Sequence, residues 1–285
     1  MIEIHLLEQL AAFAKYGTLS RAAAELHISQ PALSRSMKKL ESTLGITLFI
    51  RDSKKIFLNE TGKLAAQLAQ SQVNQNKEMI SRIIAFDRSL HSICVGSCTP
   101  MGITQLMPIL QDCFGDMIIS SELVYGEPLF NGLENGAYQI GILNAPSDDT
   151  NIFCQRYINE HLYISVPTTH RLANKKSVKF ADLDGEKFLL FQHIGFWREI
   201  CEKYMKNTSF IVQPDRDSFF ELVENTEYPA FSSDAVLMTE HPPIERVYIP
   251  IDEEKARYTY YVACLNQNKH RYSSFFNAIR SAVIK

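Results

Sequence analysis

Hydrophobic positions divide the chain into three regions with different periods. Over roughly the first sixty residues, and again between about 61 and 88, apolar side chains recur at helical spacing. After residue 90, short apolar runs alternate with helical ones. The first region opens with one apolar face, formed by Leu6, Leu10 and Phe13, which predicts a helix that ends at Gly17.

Two further short helices are predicted directly after this one. We expect Ser20 to cap the second, which would end at Leu26, and Ser29 to cap the third. Pro31 would lie in the first turn of the third helix, where a proline removes no helical hydrogen bond. Three short helices joined by tight turns are typical of a helix-turn-helix.

The third predicted helix has two distinct faces when it is turned at 100° per residue. Its apolar stripe consists of Leu33, Met37, Leu40 and Leu44, and its polar side of Pro31, Ser34, Arg35 and Lys38. Such a polar side suits the DNA major groove, because Arg can donate two hydrogen bonds to guanine and Lys can neutralise phosphate. On the charges alone, a solvated helix face is an equal alternative.

A small hairpin, or wing, is predicted after Gly45. Its strands would be residues 48–50 and 56–58, and its tip carries Arg51, Lys54 and Lys55. These cations could lie along a phosphate backbone or in the minor groove.

One long helix is predicted from Thr61 to about Arg88, because this stretch contains no proline and only one glycine, Gly62. Its polar middle, residues 67–77, argues against a strong coiled coil. A plain linker is the alternative, but apolar ends favour a partner that covers them.

The rest of the chain reads as an α/β protein. Strands are predicted at 92–95, 118–124, 138–143, 162–166, 188–191, 210–213 and 258–265, and helices at 103–113, 129–135, 196–206, 219–225 and 274–283. The first strand-to-helix turn, which comprises Ser97, Cys98, Thr99, Pro100 and Met101, would offer hydroxyls and backbone N–H groups at a positive helix end. That suits a carboxylate or another anion, with simple helix capping as the alternative.

Charge separates the two ends of the chain. Residues 1–90 hold 12 Lys+Arg against 8 Asp+Glu, and the remainder holds 17 against 24, so a basic head precedes an acidic body. A basic head favours a polyanionic partner. With 46% hydrophobic residues, no apolar run of membrane-spanning length and acids at the N-terminus, the protein is expected to be folded and cytoplasmic.

Candidate chemistry for catalysis or metal binding is sparse. The six cysteines are scattered without a CxxC pair, which favours reduced thiols over disulfides or a zinc site. The sequence has no GxSxG, HExxH, P-loop or GxGxxG motif, and its histidines are isolated. We therefore expect no catalytic residues, no metal and no cofactor.

The stretch GTLSRAAAELHISQPALSRSMKKLESTLGITLFIRDSKKIFLNETG resembles the N-terminal domain of LysR-type transcriptional regulators. The matches follow in order: Ala22 and Ala23, SQPALS, LE, LG, LF and Arg51. The resemblance implies a winged helix-turn-helix, with its two core helices at 18–37, and a dimer or tetramer paired through the long helix. Combined with the helix face and the wing, it gives these predicted DNA contacts: Ser29, Gln30, Pro31, Ser34, Arg35, Lys38, Arg51, Lys54 and Lys55.

The body resembles the same family more loosely, through ENGAYQIGIL and LYISVPTTHRLANKKSVKFADLDGEKFLLF. This implies an effector domain of two Rossmann-like subdomains, similar to periplasmic binding proteins, with crossings near Val166 and Asn266. The implied bounds are 1–59 for the DNA-binding domain, 60–89 for the linker and 90–285 for the effector domain, divided into 90–165 with 267–285, and 166–266. The implied effector contacts are Ser97, Cys98, Thr99, Pro100, Met101, Gln192, His193, Phe231 and Ser232.

The predicted function is therefore a transcription regulator whose promoter binding responds to a small molecule, an anion being one option. Its expected partners are double-stranded DNA with an imperfect dyad, the effector and a second copy of itself, and RNA polymerase is a further candidate. Two alternatives are a regulator that senses oxidation through Cys94, Cys98 or Cys201, and a ligand-binding protein without specific DNA recognition. Asn225, Glu227 and Tyr228 depart from the family pattern, so no relative's effector can be assumed.

Overall fold

The computed structural model describes residues 1–52, 56–239 and 245–283. The chain divides into two compact units, Met1–Ile84 and Ala85–Lys285.

Three helices form the core of the first unit: α1 (Ile4–Tyr16), α2 (Leu19–Glu25) and α3 (Gln30–Leu44). As predicted, Gly17 ends α1 in the left-handed conformation, with φ +74°, and Ser29 caps α3 by accepting the backbone N–H of Ala32. The predicted Ser20 cap is wrong. Thr18 is extended and accepts the N–H of Arg21, so α2 begins at Leu19, two residues before the start that a Ser20 cap would give.

The wing consists of β1 (Phe49–Arg51) and β2 (Ile56–Leu58), paired antiparallel. The first strand starts one residue later than predicted, and the N–H groups of both Leu48 and Phe49 donate to the Glu41 carboxylate. Leu48 is fully buried and joins the hydrophobic core that α1, α2 and α3 share.

Helix α4 runs from Glu60 to Ser89, which matches the predicted long helix. Asn59 begins it by accepting the N–H of Gly62 and by donating its side-chain amide to the carbonyl of Thr47. A Cβ at Gly62 would lie 2.1 Å from the carbonyl oxygen of Leu48, so the close approach of helix and wing requires glycine there.

The second unit repeats one α/β arrangement twice. The first lobe contains β3 (Ser92–Ser97), α5 (Pro100–Phe114), β4 (Ile118–Leu123), α6 (Glu127–Glu134) and β5 (Ile140–Leu143). The second contains β7 (Lys187–Phe191), α8 (Trp197–Tyr204), β8 (Ser209–Gln213), α9 (Arg216–Asn225) and β9 (Ala230–Ser233), preceded by α7 (Phe180–Leu183). Within each lobe the three strands are parallel and the first strand lies in the middle, as expected for two Rossmann-like subdomains.

Two long strands, β6 (Ile152–Pro167) and β11 (Arg257–Leu265), join the lobes. They pair antiparallel from Ile152 to His161, and from Leu162 onward β6 pairs with β9 and β10 (Arg246–Pro250). The change of partners lies before the crossing predicted near Val166. The chain also includes α10 (Asp234–Thr239) and α11 (Ser273–Val283).

Several elements differ from the predictions in a consistent way. Strand β6 starts ten residues before the predicted Leu162, and α7, β9, α10 and β10 were not predicted. The first half of β6 contains polar residues such as Gln155 and Asn159, and β9 reads AFSS, so neither has a hydrophobic strand pattern. Pairing with neighbouring strands determines their conformation.

Candidate functional site

The exposed face of α3 is the first candidate site. Its opposite face is fully buried through Leu33, Met37 and Leu40. Arg35 and Lys38 are exposed and, among the described residues, form no ion pair. The neighbouring Lys39 differs, because its ammonium lies 2.7 Å from the Glu3 carboxylate.

The remaining predicted residues on α3 have defined local partners or positions. Pro31 is exposed and Ser34 is half-buried. Ser29 is the helix cap, and the Gln30 side-chain oxygen accepts a hydrogen bond from the Ser20 hydroxyl at 2.8 Å. These contacts fix the start of α3 and the direction of its first turn.

The turn before α3 contains a strained residue. His27 has φ +52°, a backbone angle that residues other than glycine rarely adopt. The N–H of Ile28 donates to the carbonyl of Ala23 and closes this turn. Tight closure between α2 and α3 thus sets the angle at which α3 projects.

Glu41 anchors the wing to α3. One carboxylate oxygen accepts the backbone N–H groups of Leu48 and Phe49 at 2.8 and 3.1 Å, and the other lies 3.1 Å from the Arg51 guanidinium. Arg51 is therefore paired with Glu41, and its side chain nonetheless remains partly exposed. Lys54 and Lys55, predicted at the wing tip, lie outside the described residues.

The second candidate site is a cleft of about 280 Å³ in the second unit. Five of the predicted effector residues line it: Thr99, Pro100, Met101, Phe231 and Ser232. The first three begin α5 of the first lobe, and the last two lie on β9 of the second. The cleft thus extends between the lobes, where the carboxyl ends of parallel strands and the starts of helices meet.

The other four predicted effector residues lie outside this lining. Ser97 is fully buried and holds the turn, since its hydroxyl donates to the carbonyl of Thr99 and accepts the N–H of Thr99. The buried Cys98 accepts the N–H of Phe196 on its carbonyl. Gln192 and His193 are exposed.

A buried carboxylate that was not predicted lies in the cleft. Glu160, on β6, is 5% exposed and accepts three hydrogen bonds on one oxygen. The donors are the Tyr260 hydroxyl at 2.5 Å, the Trp197 indole N–H at 3.0 Å and the Thr99 hydroxyl at 3.4 Å. Burial and the adjacent carboxylate raise the pKa of Tyr260, which keeps its proton on the phenol. These bonds link both lobes at the point where β6 changes partners.

A second unpredicted group, Arg246, contacts Ser165 and Val223, two residues that line the cleft. Its guanidinium is 8% exposed and donates to the hydroxyl and the carbonyl of Ser165, both at 2.8 Å. It also donates to the carbonyls of Val223, Thr226 and Tyr228, at or just beyond the end of α9. Arg246 thus holds the C-terminal end of α9 against β6.

Two of the three cysteines considered as oxidation sensors, Cys98 and Cys201, provide little thiolate. Burial raises the pKa of Cys201, which lines the cleft, to about 12, and burial also raises the pKa of Cys98. Thiol oxidation depends on the thiolate, so these environments oppose sensing of oxidants at neutral pH. Within the described ranges, no cluster of three or more His, Cys, Asp or Glu side chains could hold a metal ion. In the same ranges, no helix is both long enough and apolar enough to cross a membrane.

Two family models match most of the chain. A model described as the bacterial regulatory helix-turn-helix protein of the lysR family matches residues 4–63, and one described as the LysR substrate binding domain matches residues 92–283.

Individual relatives are distant. The RuBisCO operon transcriptional regulator of Allochromatium vinosum is 23% identical over 206 residues, which cover 71% of this chain and 68% of that protein. The hydrogen peroxide-inducible genes activator of Dickeya chrysanthemi is 29% identical over 190 residues, which cover 65% and 62%. The latter match spans less than two thirds of the relative's length.

Solved structures with the same fold cover nearly the whole chain. A full-length OxyR variant from Pseudomonas aeruginosa has a TM-score of 0.54 at 19% identity, with 98% of this chain and 95% of that chain covered. Full-length BenM has a TM-score of 0.52 at 21% identity, with 99% and 96% covered. At these identities the likeness concerns the fold alone.

Proposed function

The chain belongs to the LysR family of bacterial regulatory helix-turn-helix proteins, and on this premise we propose that α3 reads DNA bases while the cleft binds a small molecule that modulates promoter binding. The observation that carries the first part is the two-sided character of α3. Its inner face is buried in the head, and its outer face presents an Arg and a Lys that have no internal ion pair among the described residues.

Specific roles follow from the chemistry of each side chain. Arg35 donates two hydrogen bonds to a guanine edge, and Lys38 neutralises phosphate. Gln30, Pro31 and Ser34 contact base edges near the start of α3. Ser29 caps the N-terminus of α3, whose positive end of the helix dipole would lie toward a phosphate.

The wing would add backbone contacts through Arg51. Its exposed guanidinium can reach phosphate while Glu41 fixes the position of the wing. Lys54 and Lys55, which lie outside the described residues, would supply two further cations for phosphate.

A second copy of the chain would pair along α4. Turned at 100° per residue, one side of this helix carries a stripe of apolar residues that are each more than half exposed: Leu64, Leu68, Met79, Ile83 and Phe86. Two heads held in this way would read the two half-sites of an imperfect dyad. Such a regulator acts on promoter DNA in the cytoplasm, with RNA polymerase as a further partner.

The effector would occupy the cleft lined by Thr99, Pro100, Met101, Phe231 and Ser232. Because the lining comes from both lobes, a bound molecule can favour one arrangement of the lobes over another. Coupling to DNA requires only that the molecule binds the two arrangements with different affinity.

Replacing Arg35 by Ala tests the placement of α3. The affinity for a specific promoter fragment should fall by about 1–3 kcal/mol, measured by fluorescence anisotropy at fixed salt. Lys39→Ala is the matched control, since Lys39 is on the same helix but pairs with Glu3, and it should retain the preference for that fragment. Unchanged affinity of the Arg35 variant would contradict the proposed recognition face.

A further inference from the structure

Glu160 has one carboxylate oxygen that is saturated and one that is not. Three neutral donors, from Tyr260, Trp197 and Thr99, converge on Oε2. Within the described ranges, Oε1 accepts no hydrogen bond, and no Lys, Arg or His forms an ion pair with this carboxylate. The residue nonetheless lines the cleft and is 5% exposed.

A buried carboxylate without a cation is an unfavourable arrangement. Ionised groups withdrawn from water are normally paired or coordinate a metal. The three neutral donors stabilise part of the charge on Glu160, and the second oxygen remains available toward the cleft. A ligand that brings a cation to Oε1 would complete the pairing.

The charges of the residues that line the cleft also favour a cationic ligand. Among the described residues that line it, two are acidic, Glu160 and Glu224, one is a guanidinium, Arg216, and none is a lysine or histidine. Arg216 lies on α9, with 5.4 Å from its Cζ to the centroid of the Phe220 ring. The lining therefore carries a net negative charge, which disfavours a carboxylate or phosphate beside Glu160.

The remaining lining is largely apolar. Its walls include Leu162, Leu189, Phe191, Phe219, Phe220 and Phe231. An apolar cavity of about 150 Å³ holds benzene. The cleft, at about 280 Å³, has room for an aromatic ring with a short side chain.

We infer that the cleft selects a small amine, with an aromatic or similarly bulky apolar body against the phenylalanine walls and a protonated nitrogen that donates to Oε1 of Glu160. This inference rests on the proposed function for the location of the effector site. The sequence of the turn at Ser97–Met101 suggested an anionic ligand, whereas the buried carboxylate of Glu160 indicates a cationic one.

The fluorescence of Trp197 provides a direct readout of ligand binding at Glu160, because Trp197 is the single tryptophan of the chain and its indole N–H donates to Glu160. The full-length protein would be titrated at pH 7 with three probes of similar size: 2-phenylethylamine, 2-phenylethanol and phenylacetate. The amine should change the Trp197 fluorescence saturably and bind about tenfold or more tightly than the alcohol, since a charge-assisted hydrogen bond replaces a neutral one. Phenylacetate should bind more weakly than both. A tighter complex with phenylacetate, equal affinity for all three probes, or no binding of any would overturn the inference.

Two variants locate the interaction. Glu160→Gln keeps an acceptor for the three internal donors but removes the charge, and should reduce the preference for the amine over the alcohol to near unity. Glu224→Gln removes an exposed carboxylate of the same lining and should retain most of that preference. If Glu160→Gln kept the full preference for the amine, the assignment of Glu160 would be wrong. The ranking of probes on the unmodified protein tests the ligand class without any variant.

Promoter binding, measured in the same samples, separates this inference from the proposed function. If the amine binds through Glu160 but leaves affinity and footprint on promoter DNA unchanged, the ligand class stands and the regulatory role of the cleft fails. If phenylacetate alters promoter binding and the amine does not, the cleft is regulatory and the inference about amines is overturned.

Discussion

The head and the body differ in how far apart along the chain their functional contacts lie. In the head, Ser29 caps a residue three positions away, and Glu41 binds Arg51 ten positions away. In the body, the donors to Glu160 come from Trp197, Thr99 and Tyr260, at separations of 37, 61 and 100 residues. A short sequence motif can therefore encode the chemistry of the head, whereas the chemistry of the cleft exists only after the body has folded.

The largest expected effect tests whether long-range contacts maintain the cleft. Arg246→Ala would leave the buried carbonyls of Ser165 and Val223 without their donor, each at about 1–3 kcal/mol, and would also remove the donor to the part-buried carbonyls of Thr226 and Tyr228. The free energy of unfolding of the body should fall by about 3–5 kcal/mol in urea titrations.

Arg257→Ala is the control for this variant, because Arg257 is an exposed arginine that forms an ion pair with Asp252. It should change stability by less than about 1 kcal/mol. Similar values for the two variants would contradict a structural role for the buried guanidinium.

The fold class of both units could be predicted from the sequence, but several strands and helices of the body and the chemistry of its cleft could not. Helices α1, α3 and α4 follow from apolar spacing and from the caps at Gly17 and Ser29. Glu160 and Arg246, by contrast, are single polar residues in or beside strands, without a partner nearby in the sequence. The only available signal was the presence of charged residues within strand-like segments, which does not identify their partners.

A second test concerns the buried thiols of the body. With a pKa raised from 9.0 to about 12, Cys201 should react with iodoacetamide at pH 8 some two to three orders of magnitude more slowly than in the unfolded chain. The rate should rise about tenfold per pH unit up to about pH 12, whereas in the unfolded chain it should level off near pH 9, because burial raises the pKa of Cys201 in the folded protein. Mass spectrometry of timed samples measures it. Equal rates in folded and unfolded chains, or loss of promoter binding after peroxide treatment, would revive the alternative of an oxidation sensor.

A third test isolates the wing of the head. Glu41→Ala removes the acceptor for Leu48, Phe49 and Arg51, and should lower the stability of the head by about 2 kcal/mol. Arg51→Ala removes only the partly exposed partner, so stability should change by less than about 1 kcal/mol while affinity for DNA decreases. If both variants lost stability equally, Arg51 would be a structural residue and not a DNA contact.

The smallest effect is expected at the turn between α2 and α3. His27→Gly should raise the free energy of unfolding by about 0.5–1 kcal/mol, because glycine adopts φ +52° without strain. Ala24→Gly, within the neighbouring helix, should lower it by about 1 kcal/mol. Thermal denaturation compares the two, and destabilisation by both would show that His27 is not strained.

The central claim, that the head reads DNA sequence, is tested most directly by selection from genomic DNA. Purified protein would be mixed with fragments of the genome of its source organism, and bound fragments would be recovered at several salt concentrations. We predict enrichment of a few fragments that share an imperfect dyad, and loss of this enrichment in Arg35→Ala. Equal binding of all fragments, with an affinity that collapses as salt rises, would show that the head contacts only phosphate and would contradict the account.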